Sequence, residues 1–220
     1  MLSVNRTIQT SLCLLSLSLL VALPARSQQT TSDTEEVGDP ELRQELLEMS
    51  NADQEMRAEL VELMRTSGGQ PDMQEFMRMK ASLDSLDAAN TSRLSEIIEE
   101  HGWPGPTLVG REGTEAAFLI VQHADLAFQK EALPLVQKAH QRGELSGQSL
   151  ALLTDRVRVG EGEPQLYGTQ ANIQNGEIAF HPIADSAQVD RRRAELGMPP
   201  LSEYIEQMKA VYMQQQGDDN

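Results

Sequence analysis

The sequence is short of four things, and each shortage excludes something. Cysteine comes first. Of 220 residues one is a cysteine, Cys13, and it lies in an apolar N-terminal stretch. Thr10-Ser11-Leu12 before it does not resemble a lipid-attachment motif. The rest of the chain therefore has no disulfide, no thiol nucleophile and no Cys-held zinc or iron–sulfur site. Positive charge comes second: 18 Lys and Arg stand against 34 Asp and Glu, for a formal charge of −16 and a pI near 4.6. Such a surface repels phosphate, so neither nucleic acid nor an anionic membrane is an expected partner. Aromatics are third, at 4%, with a single Trp. Catalytic signatures are fourth. There is no G-x-S-x-G, H-E-x-x-H or P-loop pattern, hence no strong metal or nucleotide motif and no cofactor to name.

The longest markedly apolar run sits at the N-terminus. Arg6 is followed by apolar residues 11–23, too few to span a bilayer comfortably, and then by the small-x-small site Ala25-Arg26-Ser27. The expectation is a signal peptide at residues 1–27, cut after Ser27 or after Ala25, with an uncleaved anchor as the alternative. Cleavage removes Arg6 and Arg26 and no acid, so the mature chain is more acidic still. The expected location is periplasmic or extracellular, with no stable membrane anchor after cleavage. Residues 28–38 read as a flexible leader, 39–213 as one domain and 214–220 as a polar tail.

That domain reads as mainly α, with a small two- or three-stranded β-hairpin near the C-terminal third. Asp39-Pro40 opens a first helix whose Leu42, Leu46, Leu60 and Leu63 recur at helical spacing. Further helices are expected over about 71–86 and 90–100, the latter capped by Asn90 or Thr91. Their Met-rich stripes read as core filling. A helix over about 112–129 carries the apolar run 116–121 and should be the central, buried one. Others follow at about 128–141, from Ser146 to Leu153, and over 186–196 and 201–215. Residues 154–159 alternate and read as a short strand. Asn175-Gly176 is a hairpin turn pairing 171–174 with 177–180.

Three polar words stand out: His101-Gly102-Trp103-Pro104, Gln122-His123-Ala124-Asp125 and Gln165-Leu166-Tyr167-Gly168-Thr169-Gln170. His123 is the most informative residue, because it arrives directly on the buried run, where polar groups must be bonded or line a cavity. The plainer reading of His123 is a satisfied core histidine. The plainer reading of His101 is a helix-end residue favoured by the dipole. In this order, with Asp155-Arg156, a later Asp185, the Arg191-Arg192-Arg193 run and Gly197-Met198-Pro199-Pro200-Leu201, the words resemble a bacterial family known as domain of unknown function 6624. The resemblance covers about residues 46–204. Its pattern also takes in Asp53, Gln54, Arg57, Asp87, Asn90 and Gly110. It implies a shared, mostly helical domain and carries no established activity.

Four readings of these residues compete. The first, slightly favoured, is a small-molecule- or peptide-processing enzyme. His101 and His123 serve as general acid and base, with Asp155 orienting one imidazole and Tyr167 supplying a hydroxyl. Arg156 clamps a carboxylate or phosphate. Trp103, Gln122, Gln165, Thr169, Gln170 and Arg193 complete the ligand contacts. The second is a non-catalytic module that binds a polar ligand, a peptide or another protein. The third is a metal site built from the two histidines with Asp125 or Asp155, although no pair has a recognisable ligand spacing. The fourth is a purely structural polar network that includes Asp53–Arg57 and Asp155–Arg156.

Overall fold

The computed structural model describes residues 37–174 and 177–217. The expected signal peptide with Cys13, most of the leader, the Asn175-Gly176 turn and the last three residues of the tail lie outside the described residues.

Short-range signals set the helix starts. Asp39 caps α1 (Pro40–Thr66) by accepting from the Leu42 N–H at 2.9 Å, with Pro40 in the first position. Asp72 caps α2 (Met73–His101) through the Glu75 N–H. In α3 (Pro106–His123), Gly110 adopts φ 70° and bends the helix after its first turn. A Cβ there would meet Val37 and Arg43 at ordinary contact distance, so it is the positive φ that calls for glycine. Asp125 caps α4 (Leu126–Gln141) and Ser146 caps α5 (Gly147–Gly160). The antiparallel hairpin of β1 (Ala171–Gln174) and β2 (Glu177–Phe180) has Ala171 opposite Phe180 and Gln174 opposite Glu177, as the turn signal predicts. A 3₁₀ turn (Ser186–Gln188), α6 (Val189–Glu195) and α7 (Leu201–Gly217) follow.

α3 runs through the middle and touches α1, α2, α4 and α5. Ala116, Ala117, Phe118, Ile120 and Val121 are buried along it, and Leu119 is half-buried. They join Leu42, Leu46, Leu94, Ile97, Val136 and Leu153 in one apolar cluster. Each such leucine contributes about 2–3 kcal/mol by leaving water. Among the described residues no helix is long and apolar enough to cross a membrane.

Five expectations are corrected. Residues 154–159 are helical, the second half of α5. Their alternation misleads because this helix is covered on more than one side, so Leu153, Asp155 and Val157 are all buried. The helices expected at 71–86 and 90–100 are one helix. Asn90 does not cap; its amide reaches across to the Met49 carbonyl at 3.4 Å. The helix expected over 112–129 is cut at Ala124-Asp125, where Asp125 starts α4. The helix starting after Ser146 runs past Leu153 to Gly160. Met73 and Met77 are 62% and 55% exposed, so that part of the Met stripe is not core.

Candidate functional site

His123 is the last residue of α3, because Ala124 turns extended immediately after it. It stands beside α1 and α2. Its Nδ1 lies 2.7 Å from Oδ2 of Asp53 and 3.0 Å from Nε of Arg57. Arg57 sits one helical turn beyond Asp53 and donates to Oδ1 of Asp53 at 3.0 Å and to Oδ1 of Asp87, on α2, at 2.6 Å. Asp53 is 1% exposed. Nδ1 meets both the Asp53 carboxylate, which calls for a proton there, and the Arg57 Nε–H, which calls for a lone pair. That Nε–H also has Oδ1 of Asp53 to donate to at the same distance, so the shorter carboxylate contact favours the tautomer with the proton on Nδ1 and the lone pair on Nε2. No hydrogen bond to Nε2 is present among the described residues. From the other side, Arg156 of α5 donates to the Gln122 carbonyl at 2.5 Å.

These groups shift one another's acidity. Burial pushes the His123 imidazole below its usual value; the Asp53 hydrogen bond opposes this, and the charges of Arg57 and Arg156 add to it. Burial acts to raise the Asp53 carboxyl, but the hydrogen bonds and charges of His123 and Arg57 outweigh it and hold the group low. Asp87 goes the other way: burial lifts it to about 6, with Arg57 opposing and Asp53 adding. Burial and the Arg57 charge bring Arg156 down to about 10. Near neutral pH the cluster thus holds an ionised Asp53 and a neutral His123, while Asp87 titrates just below neutrality. Pairs of titratable groups pushed apart in this way are typical of acid–base sites.

A cavity of about 770 Å³ opens beside the cluster. His123 lines it together with Asp84, Asp87, Glu96, Glu99 and Asp125, so five carboxyl groups face the space. Among the described residues no three His, Asp, Glu or Cys side chains are arranged to hold a metal ion.

The third polar word behaves differently. Asp155, 0% exposed, accepts from the backbone N–H groups of Leu166, Tyr167 and Thr169 and from the Thr169 hydroxyl, at 2.7–3.1 Å. The Gln165 amide donates to the carbonyls of Gln170 and His181 and accepts from the Gln170 N–H. Arg193, also 0% exposed, donates to the carbonyls of Tyr167 and Pro199 and lies 4.9 Å over the Tyr204 ring. The loop is a cradle that closes on itself.

The family model that matches the chain spans residues 40–215 and so contains both the His123 cluster and the cradle. The chain belongs to the family of unknown function DUF6624. No curated protein and no solved structure matches it. In this DUF6624 domain, His123, Gln122 and Arg156 come together. His101 does not join them. It lies exposed at the end of α2, fourteen residues and about 21 Å along the helix from Asp87, with Glu100 as its 3.6 Å neighbour. Trp103 is 9% exposed and packs in the core, its indole N–H without a partner. Asp155 orients backbone and not an imidazole; Asp53 takes that place. Gln165, Thr169 and Gln170 spend their polar groups inside the cradle, and Arg193 is sealed off from any anion. Tyr167 is half-buried, with its N–H on Asp155 and its hydroxyl made less acidic chiefly by burial.

Asp53 and Arg57 entered the readings only as part of a structural network, and Asp87 entered none of them. All three were already in the family pattern, and the four-residue spacing of Asp53 and Arg57 put them on one helix face. What no spacing revealed is that this face meets the end of α3.

Proposed function

We propose that this domain is a small-molecule- or peptide-processing enzyme in which Nε2 of His123 is the general base and Asp87 the proton donor. The observation that carries it is the 2.7 Å contact of Nδ1 with Asp53 beside an open cavity, with no bond to Nε2 among the described residues. Asp53 and Arg57 hold the ring; burial, with the charges of Arg57 and Arg156, keeps it neutral and so able to accept a proton at Nε2. Of the five acids on the cavity Asp84, Asp87 and Glu96 pair with Lys80, Arg57 and Arg93, and the charge of Glu99 and Asp125 favours a substrate bearing positive charge, such as an amine or guanidine. The test is a panel of esters and amides of arginine and lysine, run beside their uncharged analogues. Turnover should favour the cationic members and fall by at least about 100-fold in His123→Gln, with the circular dichroism unchanged. Equal turnover in that variant would sink the role.

A second reading needs only the carboxylate-lined cavity: a binding module that holds a cation without converting it. Stabilisation by a polyamine in a thermal-shift assay, with no turnover on any substrate, favours it. We also propose, on the expected signal peptide at residues 1–27, that the protein is exported. Terminal sequencing of the protein recovered from the periplasm or medium should begin at Gln28 or Arg26.

A further inference from the structure

A groove between α1, α3 and α5 encloses about 540 Å³ and shares no lining residue with the acidic cavity. Its wall is aliphatic at Leu47 of α1, Ala116 and Leu119 of α3 and Leu152 of α5. Charge enters from one stretch of α3, at Arg111, Glu112 and Glu115. Glu112 is taken by Arg43 of α1. Arg111 and Glu115 have neither a hydrogen bond nor an ion pair among the described residues. They stand one helical turn apart, which sets their Cβ atoms about 5–6 Å from each other on one face. The Glu115 carboxyl is partly desolvated: burial raises its pKa, and the Arg111 charge opposes. A carboxylate so placed gains from an incoming cation. With Arg43 counted, two arginines and two glutamates balance here, in a chain of formal charge −16.

We propose that this groove binds a short aliphatic peptide with free termini, such as leucyl-leucine, its carboxylate on Arg111, its ammonium on Glu115 and its side chains along Leu47, Leu119 and Leu152. The chemistry follows from the wall. A guanidinium with no partner takes a carboxylate through two parallel N–H donors, and the carboxylate one turn along takes an ammonium. Two residues of extended chain span at most about 7 Å, which matches the spacing of the two charges. A single amino acid holds its charges closer together and leaves most of the groove unfilled. Asn51 and Gln148 bring amides to the same wall, able to meet the peptide bond between the termini. Burial of leucine-like side chains supplies the apolar part of the affinity. The groove is separate from the acidic cavity, so the site stands whether or not His123 is catalytic.

The test uses the full chain and five probes: leucyl-leucine, N-acetyl-leucyl-leucine, leucyl-leucinamide, glycyl-glycine and L-leucine. Saturation-transfer NMR and calorimetry at millimolar concentration give the affinities. Leucyl-leucine should bind at least about tenfold more tightly than each of the others, which lack the ammonium, the carboxylate, the aliphatic body and the span in turn. Arg111→Gln should erase the preference over leucyl-leucinamide and keep the preference over N-acetyl-leucyl-leucine. Glu115→Gln should do the reverse. Both side chains are exposed, so these substitutions leave the core untouched. Arg191→Ala, which removes an exposed arginine outside the groove, should change neither preference. Absence of leucyl-leucine binding by the wild type overturns the proposal. So does equal affinity for leucyl-leucine and any other probe, or both preferences surviving in both groove variants. The wild-type comparison decides the matter even where a variant fails to fold.

Discussion

Two polar clusters meet on α5, one residue apart. Asp155 serves the cradle: all the contacts of its carboxylate go to one loop, which it holds in a single conformation. Arg156 serves the His123 cluster, where three further helices each contribute a charged or titratable side chain. Both clusters are buried and both are dense in residues of the family pattern. They differ in what is left over. In the cradle the Asp155 carboxylate and the Gln165 amide are spent on the loop. In the His123 cluster an imidazole nitrogen has no bond among the described residues, the acidities of His123 and Asp87 are displaced in opposite directions and open space lies alongside. A polar network that consumes its own valence is scaffold, and one that keeps some in reserve beside a cavity is the better place to look for chemistry.

That contrast can be broken most sharply at the cradle. Asp155→Ala strands three buried N–H groups, and urea unfolding should register a loss of more than about 3 kcal/mol. A loss below about 1 kcal/mol would mean that the loop is held by something else.

Asp87→Asn should sharpen the other side. The folded-state Asp87 carboxyl titrates near 6, above an unfolded value near 3.9. Between these values the folded form binds more protons than the unfolded one, so this group makes stability fall as pH rises from about 4 to 6. The variant lacks the fall, so its stability relative to the wild type should grow by about 2–3 kcal/mol over that window and then level off. A flat difference from pH 4 to 7 would remove Asp87 as a proton donor.

His123→Gln should cost about 1 kcal/mol or less at pH 7, where the ring is neutral and an amide can still donate to Asp53. The His123 shift is downward, so below pH 6.5 the unfolded chain takes up the proton first and wild-type stability is lost as pH falls. The variant should escape that loss and gain on the wild type in acid. Denaturant midpoints at pH 5 and 7 measure both effects. A large loss at pH 7 would move the cluster into the scaffold class.

The smallest effect is expected at Arg191, the exposed member of the Arg191-Arg192-Arg193 run. Its pairing with Glu195 is 76% and 61% exposed on the two side chains, so Arg191→Ala should shift stability by less than about 0.5 kcal/mol. Thermal melts should separate it clearly from Arg193→Ala, which removes a guanidinium bonded to two carbonyls.

Much of the fold was legible in short stretches. Asp39, Ser146 and Asn175-Gly176 announce two helix starts and a hairpin through local chemistry, and residues 116–121 announce a central helix through unbroken apolarity. Two of the failures share one cause. Asn90 resembles a cap and the 154–159 stretch resembles a strand because each is read by its neighbours in sequence, while partners elsewhere decide its role: the Met49 carbonyl for Asn90, the loop at 166–169 for Asp155. The site was half legible. His123 declared itself by following a buried run, whereas pairing it with His101 assumed that two histidines converge.

The sequence alone thus determined composition, charge, most helix starts, the hairpin and the family to which the chain belongs, because these depend on residues near one another or on words in a fixed order. Only the tertiary structure decided which polar words are scaffold and which adjoin open space. That distinction depends on whether each donor and acceptor finds a partner. The partners of His123 come from α1, seventy and sixty-six residues earlier in the chain, beyond the reach of any local pattern.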